Sequence, residues 1–193
     1  MNVAQVEKFI SFNFLGNYGR LGNSMFQYAT VLGLARASGH TPICNISNLP
    51  LFKECFELGF VEDKTCNPDL ILNEQGFEHQ AALHHLPADA SVDIRGYFQS
   101  EKYFKHCENE VRQDFTFKQE IKDKAVTKVP SDVTVSVHVR RGDYINLKEY
   151  HHNQSKNYYY EALERFPDLR PVFFSDDIQW CKDNFKDVKN DPV

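Results

Sequence analysis

Two adjacent arginines follow the most regular strand pattern in this sequence. Between residues 133 and 139, valines alternate with polar residues, which is typical of a β-strand with two different faces. Arg140 and Arg141 come next, and Gly142 then allows a sharp turn. Guanidinium groups bind phosphate oxygens in bidentate fashion, and ligands of open α/β sheets bind at the carboxyl ends of strands. The pattern therefore indicates a pyrophosphate site with Asp143 as an orienting partner; the alternative is an ion pair that only closes the strand end.

A second candidate site is a turn with three glycines, at residues 16–22. It lies between an apolar run at 8–15, which predicts a buried strand, and a helical pattern at 23–38 that Gly39 is well placed to end. Glycines let a ligand approach the backbone closely, and Arg20 and Asn23 can hydrogen-bond a phosphate or a sugar. The spacing differs from the dinucleotide fingerprint, so a nicotinamide cofactor is not indicated. The alternative is a turn that only connects a strand to a helix.

The acidic and histidine residues give weaker signals. Ser175, Asp176 and Asp177 follow a short apolar run, where they could hold a divalent metal or cap a helix, and we favour capping by Ser175 and Asp176. The histidine pairs at 84–85 and 151–152 lack an accompanying set of metal ligands, so we expect both to be exposed. A general base within the second pair stays open. No metal site is therefore predicted.

Composition excludes several classes of protein. The 193 residues carry a net charge of −5, which argues against a nucleic-acid binder driven by bulk electrostatics. No apolar stretch is long enough to cross a bilayer, and the N-terminus does not resemble a signal peptide. The five cysteines are dispersed and form no CxxC pair. We therefore expect a cytoplasmic protein with reduced thiols.

The order of predicted elements is that of an α/β fold. The chain opens with strand, glycine turn, helix and strand, and its last third repeats a strand–helix–strand–helix order. Strands are predicted at 8–15, 41–46, 92–98, 133–139 and 171–174, and helices at 23–38, 51–58, 75–86, from 101 with Ser100 as cap, 118–128, from about 155 to 166 and from 175 or 176 to 184.

Four segments of this sequence together resemble glycosyltransferase family 11, the α-1,2-fucosyltransferases. They read GRLGNSMFQYA (19–29), RGYFQSEKYF (95–104), VSVHVRRGDY (135–144) and FSDD (174–177), and the likeness extends over about residues 9–185. The resemblance implies a GT-B-like fold of two Rossmann-like halves. Applied to this chain, it implies an N-terminal, acceptor-side half at 1–130 and a partial GDP-sugar-binding half at 131–193, so that the C-terminal half is incomplete.

The same resemblance implies a reaction and a set of site residues. The reaction is transfer of L-fucose from GDP-β-L-fucose to the 2-hydroxyl of a galactoside, with inversion and without a metal or other cofactor. The partners implied are GDP-fucose and an oligosaccharide or glycolipid acceptor, with no nucleic acid and no transmembrane segment; peripheral association with a membrane stays open. Arg140 and Asp143 are the implied catalytic residues. The implied donor-binding residues are Arg20, Gly22, Asn23, His138, Arg140, Arg141, Ser175 and Asp176.

The sequence departs from the family pattern at two places. Position 24 is Ser where the family commonly has Gln, and the sequence ends at Val193 without the family's later segment rich in Ser, Thr, Phe and Trp. Three interpretations therefore stay open. They are an α-1,2-fucosyltransferase truncated at its C-terminus, a fucosyltransferase that makes a different linkage, and a non-catalytic remnant that binds a GDP-sugar or a glycan.

Overall fold

The structure is a computed structural model that describes residues 6–128, 133–147 and 149–188. The chain divides into two compact units, residues 1–119 and 120–193. The domain boundary predicted at residue 130 lies outside the described residues. In the part of the chain that is described, no helix is long and apolar enough to cross a membrane.

The first unit is built on a parallel sheet of five strands. Its strands are β1 (Phe9–Phe12), β2 (Thr41–Cys44), β3 (Glu62–Asp63), β4 (Leu70–Asn73) and β5 (Val92–Arg95). They lie in the order β3-β2-β1-β5-β4, and every pairing is parallel. The sheet therefore extends to both sides of β1, and the carboxyl ends of β1 and β5 form the switch point at which open α/β sheets bind ligands.

Helix α1 (Leu21–Ser38) fills the centre of this unit. Its residues from Gln27 to Ala35 are buried, and Gly39 ends it in the left-handed conformation with φ of 73°, as the sequence predicts. Gly33 allows close packing, because a Cβ at this position would overlap the carbonyl oxygen of Tyr103. The short helices α2 (Pro50–Cys55) and α3 (Glu108–Asp114) complete the unit.

The second unit contains two described strands, β6 (Thr134–Val139) and β7 (Arg170–Ser175), paired in parallel. Its helices are α4 (Gln119–Val126), α5 (Lys156–Leu163) and α6 (Ile178–Asn184). The Ser155 hydroxyl caps α5 by accepting a hydrogen bond from the Tyr158 N–H. The buried core of this unit consists of Val139, Tyr159, Phe173, Cys181 and Phe185.

The predictions for the middle of the chain are only partly correct. The helix predicted at 75–86 is reduced to a 3₁₀ turn at Ala81–His84, preceded by loop. The helix expected from residue 101 begins with two 3₁₀ turns, Glu101–Tyr103 and Lys105–Cys107, and becomes α-helical in α3, while the Ser100 side chain does not cap the first turn. The edge strands β3 and β4 were not predicted, since strands of two and four residues leave almost no periodic signal.

Candidate functional site

The carboxyl ends of β6 and β7 bring the arginines and the aspartates together. The parallel register pairs Val139 with Ser175, so the residues that follow each strand leave the sheet at the same edge. The Ser175 hydroxyl strengthens this junction by donating a 2.8 Å hydrogen bond to the Val139 carbonyl oxygen. As a result, Arg140 and Arg141 lie beside Asp176.

Asp176 holds the backbone of residues 140–142, which we call the arginine turn. One carboxylate oxygen accepts hydrogen bonds from the N–H groups of Arg141 at 2.8 Å and Gly142 at 3.1 Å, and the other pairs with Arg140 Nη1 at 3.0 Å. Partial burial raises the pKa of the Asp176 carboxyl, but the two N–H donors and the charge of Arg140 outweigh that effect and hold the pKa below its usual value. Asp176 is therefore a charged residue that shapes the turn.

Arg140 is fixed from three sides. Its Nη2 donates to Asp143 at 2.6 Å, its Nη1 pairs with Asp176, and its guanidinium carbon lies 5.1 Å from the centre of the Tyr144 ring. The Tyr144 ring in turn stacks on His151, with centroids 4.0 Å apart and planes within 6°. About a quarter of the Arg140 side chain, 26%, stays exposed. The guanidinium is therefore oriented before any ligand arrives and keeps a surface that a ligand can reach.

Arg141 lies in a different environment from Arg140. Its partner Asp177 is also the residue that caps α6, in place of the expected cap. Its Nε donates to Asp177 at 3.1 Å, and its guanidinium carbon lies 4.1 Å from the centre of the Trp180 ring. Asp177 itself caps α6 by accepting from the Trp180 N–H at 3.2 Å. Capping by Ser175 and Asp176 was expected and is wrong for the helix end, because Ser175 instead accepts from the Asp177 N–H and Asp176 faces the arginine turn.

The net charge of this cluster does not favour an anion, so anion binding here depends on the geometry of the N–H donors. Two arginines face three aspartates, so the five side chains together carry one net negative charge. Net attraction of an anion to this cluster is therefore weak, and any phosphate must bind through N–H donors that are already positioned. Within the described ranges, no group of three or more His, Cys, Asp or Glu side chains is arranged to hold a metal ion.

His138 is exposed on β6, in register with Phe174 of β7. The expected exposure of the second histidine pair holds for His152, which is exposed, whereas His151 is half-buried through its stack on Tyr144. Of the first pair, His84 is also half-buried, and it lies against Tyr103.

The glycine turn forms a separate arrangement within the first unit. Gly19 has a φ of 80°, and a Cβ there would overlap the Asn23 side chain, so this position requires glycine. The Asn23 amide oxygen accepts a hydrogen bond from Gln99, on the loop that follows β5. Arg20 and Gly22 are exposed at the start of α1. The predicted turn residues thus lie at the carboxyl ends of β1 and β5.

Gln27 links the same two loops, and sequence reasoning missed this role. Its side chain is fully buried, and its Nε2 donates to the carbonyl oxygens of Tyr18 at 3.0 Å and Gly96 at 3.1 Å. Its Oε1 is buried and has no partner among the described residues. A polar residue inside the apolar pattern of the first helix was the available signal, because a buried amide must be hydrogen-bonded.

The sequence comparison decides the family. The sequence model of glycosyl transferase family 11 matches residues 75–193, which is more than half of the chain and includes the whole arginine cluster. The chain belongs to glycosyl transferase family 11.

The curated proteins to which this family-11 chain is similar are named as glycosyltransferases. It is 28% identical to galactoside alpha-(1,2)-fucosyltransferase 1 of Leontocebus fuscicollis, over 90% of this chain and 53% of that protein. It is 29% identical to galactoside 2-alpha-L-fucosyltransferase SEC1 of Bos taurus, over 91% of this chain and 52% of that protein. A shorter match, 38% identical over 60% of this chain and 43% of the relative, is to an alpha-1,2-colitosyltransferase of Escherichia coli. The chain spans about half the length of the full-length fucosyltransferases that it matches.

Solved structures support the fold assignment. Fucosyltransferase NodZ from Bradyrhizobium superposes with a TM-score of 0.62 at 12% identity, covering 97% of this chain and 78% of that one. NodZ alpha-1,6-fucosyltransferase soaked with GDP-fucose superposes with a TM-score of 0.58 at 13% identity and the same coverage. The predicted GT-B-like α/β fold class is thus confirmed for this family-11 chain.

Proposed function

We propose that this family-11 chain transfers L-fucose from GDP-β-L-fucose to the 2-hydroxyl of a terminal galactoside, with inversion. The observation that supports the proposal is the orientation of Arg140. Asp143 and Asp176 hold this side chain at the end of β6, and a quarter of it stays exposed. The names of the galactoside fucosyltransferases that it resembles support the donor, the acceptor and the linkage.

The proposed chemistry is a displacement at the anomeric carbon of fucose. The bond from this carbon to the β-phosphate oxygen breaks as the bond to the galactoside 2-oxygen forms, and GDP leaves with the electron pair. Negative charge grows on the departing phosphate, and Arg140 stabilises it through N–H donors that are already oriented. The hydroxyl proton must pass to a base, and the described contacts assign none.

In this proposal, the carboxylates of Asp143 and Asp176 orient Arg140. Asp143 positions the Arg140 guanidinium, and Asp176 holds the turn backbone, so both act on the donor through Arg140. Arg141 anchors the turn to α6 through Asp177. Donor binding by Arg20, Gly22 and Asn23 of the first unit is a separate part of the proposal and needs its own substitutions.

A second candidate donor is a GDP-activated colitose, the 3-deoxy analogue of fucose. The observation in its favour is the 38% identity to an alpha-1,2-colitosyltransferase, which exceeds that to the galactoside fucosyltransferases. Comparing transfer from the two donors by the same chain separates these candidates. A remnant without catalysis predicts donor binding and no transfer from either donor.

The first test is calorimetric titration of GDP-fucose into this chain, with GDP-mannose as the control ligand. We expect saturable binding that prefers GDP-fucose, and we expect the Arg140→Ala variant to lose both binding and transfer. Arg165→Ala is the matched control, because Arg165 is an exposed arginine of the same unit. Binding that is the same in wild type and Arg140→Ala would overturn the proposal.

A second test asks whether transfer requires a metal ion. We expect transfer to be unchanged by EDTA, because the proposal assigns the leaving-group charge to Arg140. Activity that is lost in EDTA and restored by manganese would instead make Asp176 and Asp177 metal ligands.

A further inference from the structure

Exposed aromatic rings lie at the carboxyl ends of β1 and β5 in the first unit. Phe14, two residues after β1, is 41% exposed, and Tyr97, two residues after β5, is 37% exposed. Because β1 and β5 are neighbouring strands, the two loops leave the sheet side by side. Exposed aromatics at a ligand-binding edge are candidates for contact with a partner or a ligand.

Charged groups lie against the Phe14 ring and hold the backbone at Tyr97. The Arg95 guanidinium lies over one face of Phe14, 4.7 Å from the ring centre, and is itself fixed by an ion pair of 3.0 Å with the fully buried Asp93. The Glu74 carboxylate accepts the N–H of Tyr97 at 2.7 Å.

The backbone on both sides of Tyr97 adopts uncommon conformations. Phe98, which follows it, has a φ of 50°, which is uncommon outside glycine, and Gly96 before it has a φ of 151°. Glu74 also accepts the Phe98 N–H at 3.0 Å, so one carboxylate stabilises the whole turn. Strained conformations persist where surrounding contacts hold them, and they concentrate at functional sites.

A polar group suited to a sugar hydroxyl lies on the same loop as Tyr97. Gln99, two residues further along, donates its amide N–H to the Asn23 oxygen, which holds the Gln99 side chain and leaves its Oε1 as an acceptor. A sugar hydroxyl both donates and accepts, so it can donate to that oxygen.

We propose that Phe14 and Tyr97 form a stacking platform for the galactose ring of the acceptor, with Gln99, which Asn23 holds, binding one of its hydroxyls. This inference rests on the proposed function, since it names the residues that would recognise that acceptor. A β-galactopyranoside presents the C–H groups of carbons 3, 4 and 5 on one face, and these polarised C–H groups are attracted to the electron-rich face of an aromatic ring. A glucoside, whose 4-hydroxyl is equatorial, lacks this continuous apolar face, so the platform favours galactose.

The test is saturation-transfer-difference NMR on the full chain, with methyl β-D-galactopyranoside as the probe and methyl β-D-glucopyranoside as the control sugar. We expect the largest transfer at the protons on carbons 3, 4 and 5, and weaker transfer to the glucoside. Phe14→Ala and Tyr97→Ala should each weaken galactoside binding about tenfold, or about 1.4 kcal/mol. Phe77→Ala is the matched control, because Phe77 is an aromatic of the same unit that is 80% exposed.

The conservative variants Phe14→Tyr and Tyr97→Phe keep the rings and should bind the galactoside nearly as well as wild type. Their recovery would show that binding needs the aromatic ring, and an unchanged thermal midpoint of the alanine variants would exclude a folding defect. The inference is overturned by unchanged binding in both alanine variants, by equal binding of the glucoside, or by no transfer to the galactoside in wild type.

GDP-fucose titration on the same samples separates this inference from the proposed function. Normal donor binding with no effect of the alanine variants on the galactoside would end the platform proposal alone. Absent donor binding with galactoside binding that depends on Phe14 and Tyr97 would end the transferase proposal and leave a glycan-binding protein.

Discussion

Gly142→Ala tests whether Asp176 is lodged against the arginine turn. A Cβ at position 142 would lie 2.5 Å from Asp176 Oδ2, and ordinary van der Waals contact begins near 3.4 Å, so the carboxylate must retreat by about 0.9 Å. Oδ2 is the oxygen that pairs with Arg140 Nη1 at 3.0 Å, so a retreat of that size lengthens this pair beyond the range of a hydrogen bond, roughly 3.5 Å. Oδ1, which accepts the hydrogen bonds of 2.8 and 3.1 Å from the turn, lies 3.7 Å from the same Cβ and is disturbed only as the carboxylate rotates.

The magnitude follows from these contacts of the Asp176 carboxylate. A hydrogen bond to a charged group contributes about 1.5–3 kcal/mol, and the low end applies here because a quarter of the Asp176 side chain is exposed. Losing the Arg140 pair and weakening the bonds to the turn therefore destabilises the second unit by about 1–3 kcal/mol. Arg140 loses a partner at the same time, so donor binding should weaken as well.

The assay is urea unfolding followed by the fluorescence of Trp180, the only tryptophan in the sequence, which lies in the second unit. With a denaturant dependence of about 1 kcal/mol per molar urea, the midpoint should fall by about 1–3 M. A double-mutant cycle with Asp176→Ala sharpens the test, since Gly142→Ala should cost little once the carboxylate is absent. Additive effects in that cycle, or an unchanged midpoint, would refute the reasoning.

Three further predictions follow from single contacts. Gly22→Ala should leave thermal stability equal or slightly higher, because a Cβ there meets nothing within 4 Å, and a fall in GDP-fucose affinity in that stable variant would support close approach of the donor. Tyr28→Phe removes the 2.6 Å hydrogen bond from the buried Tyr28 hydroxyl to Asp114, so calorimetry should show the first unit less stable by about 1–3 kcal/mol. The lowered pKa of Asp176 means that its contribution to stability is complete above its unfolded pKa, near 4, and is lost as pH falls through the lower folded value. The Trp180 unfolding midpoint should therefore fall below about pH 4, and more steeply in wild type than in Asp176→Asn; parallel curves would contradict this.

The sequence predicted the strand-end site because its signals are local. Strict alternation over 133–139 predicts a strand, and the structure has one at Thr134–Val139. The position of Arg140 after that strand then follows from the chain itself. Gly39 is a similar case, since the left-handed conformation at a helix end is a property of one residue.

The parts that were missed depend on contacts that are distant in sequence. Strand β4 exists because it pairs with β5, about twenty residues later, and its four residues give little signal alone. The segment at 75–86 has helix-like spacing, but the Tyr103 hydroxyl accepts the Gln80 N–H and holds that segment in another conformation. Tertiary contacts thus override weak local preference.

The aspartates show why residue type alone could not assign roles within the site. Asp176 and Asp177 are adjacent and chemically identical, yet one binds the arginine turn and the other caps α6 and pairs with Arg141. Which of them binds the arginine turn depends on the β6–β7 register, since a shift of one residue would place Asp177 where Asp176 lies.

The same register orders the arginine that we propose binds the donor phosphate in this acidic protein. An arginine at a strand end has many rotamers, and ordering it at the moment of binding would cost about 2 kcal/mol of side-chain entropy. Here Asp143, Asp176 and the Tyr144 ring order Arg140 in advance, at the expense of a net negative cluster that does not attract anions over a distance. Such a site does not steer an anionic donor toward it, but it can still form directional hydrogen bonds once the donor has bound. That suits a reaction in which the charge to be stabilised appears only as the leaving group departs.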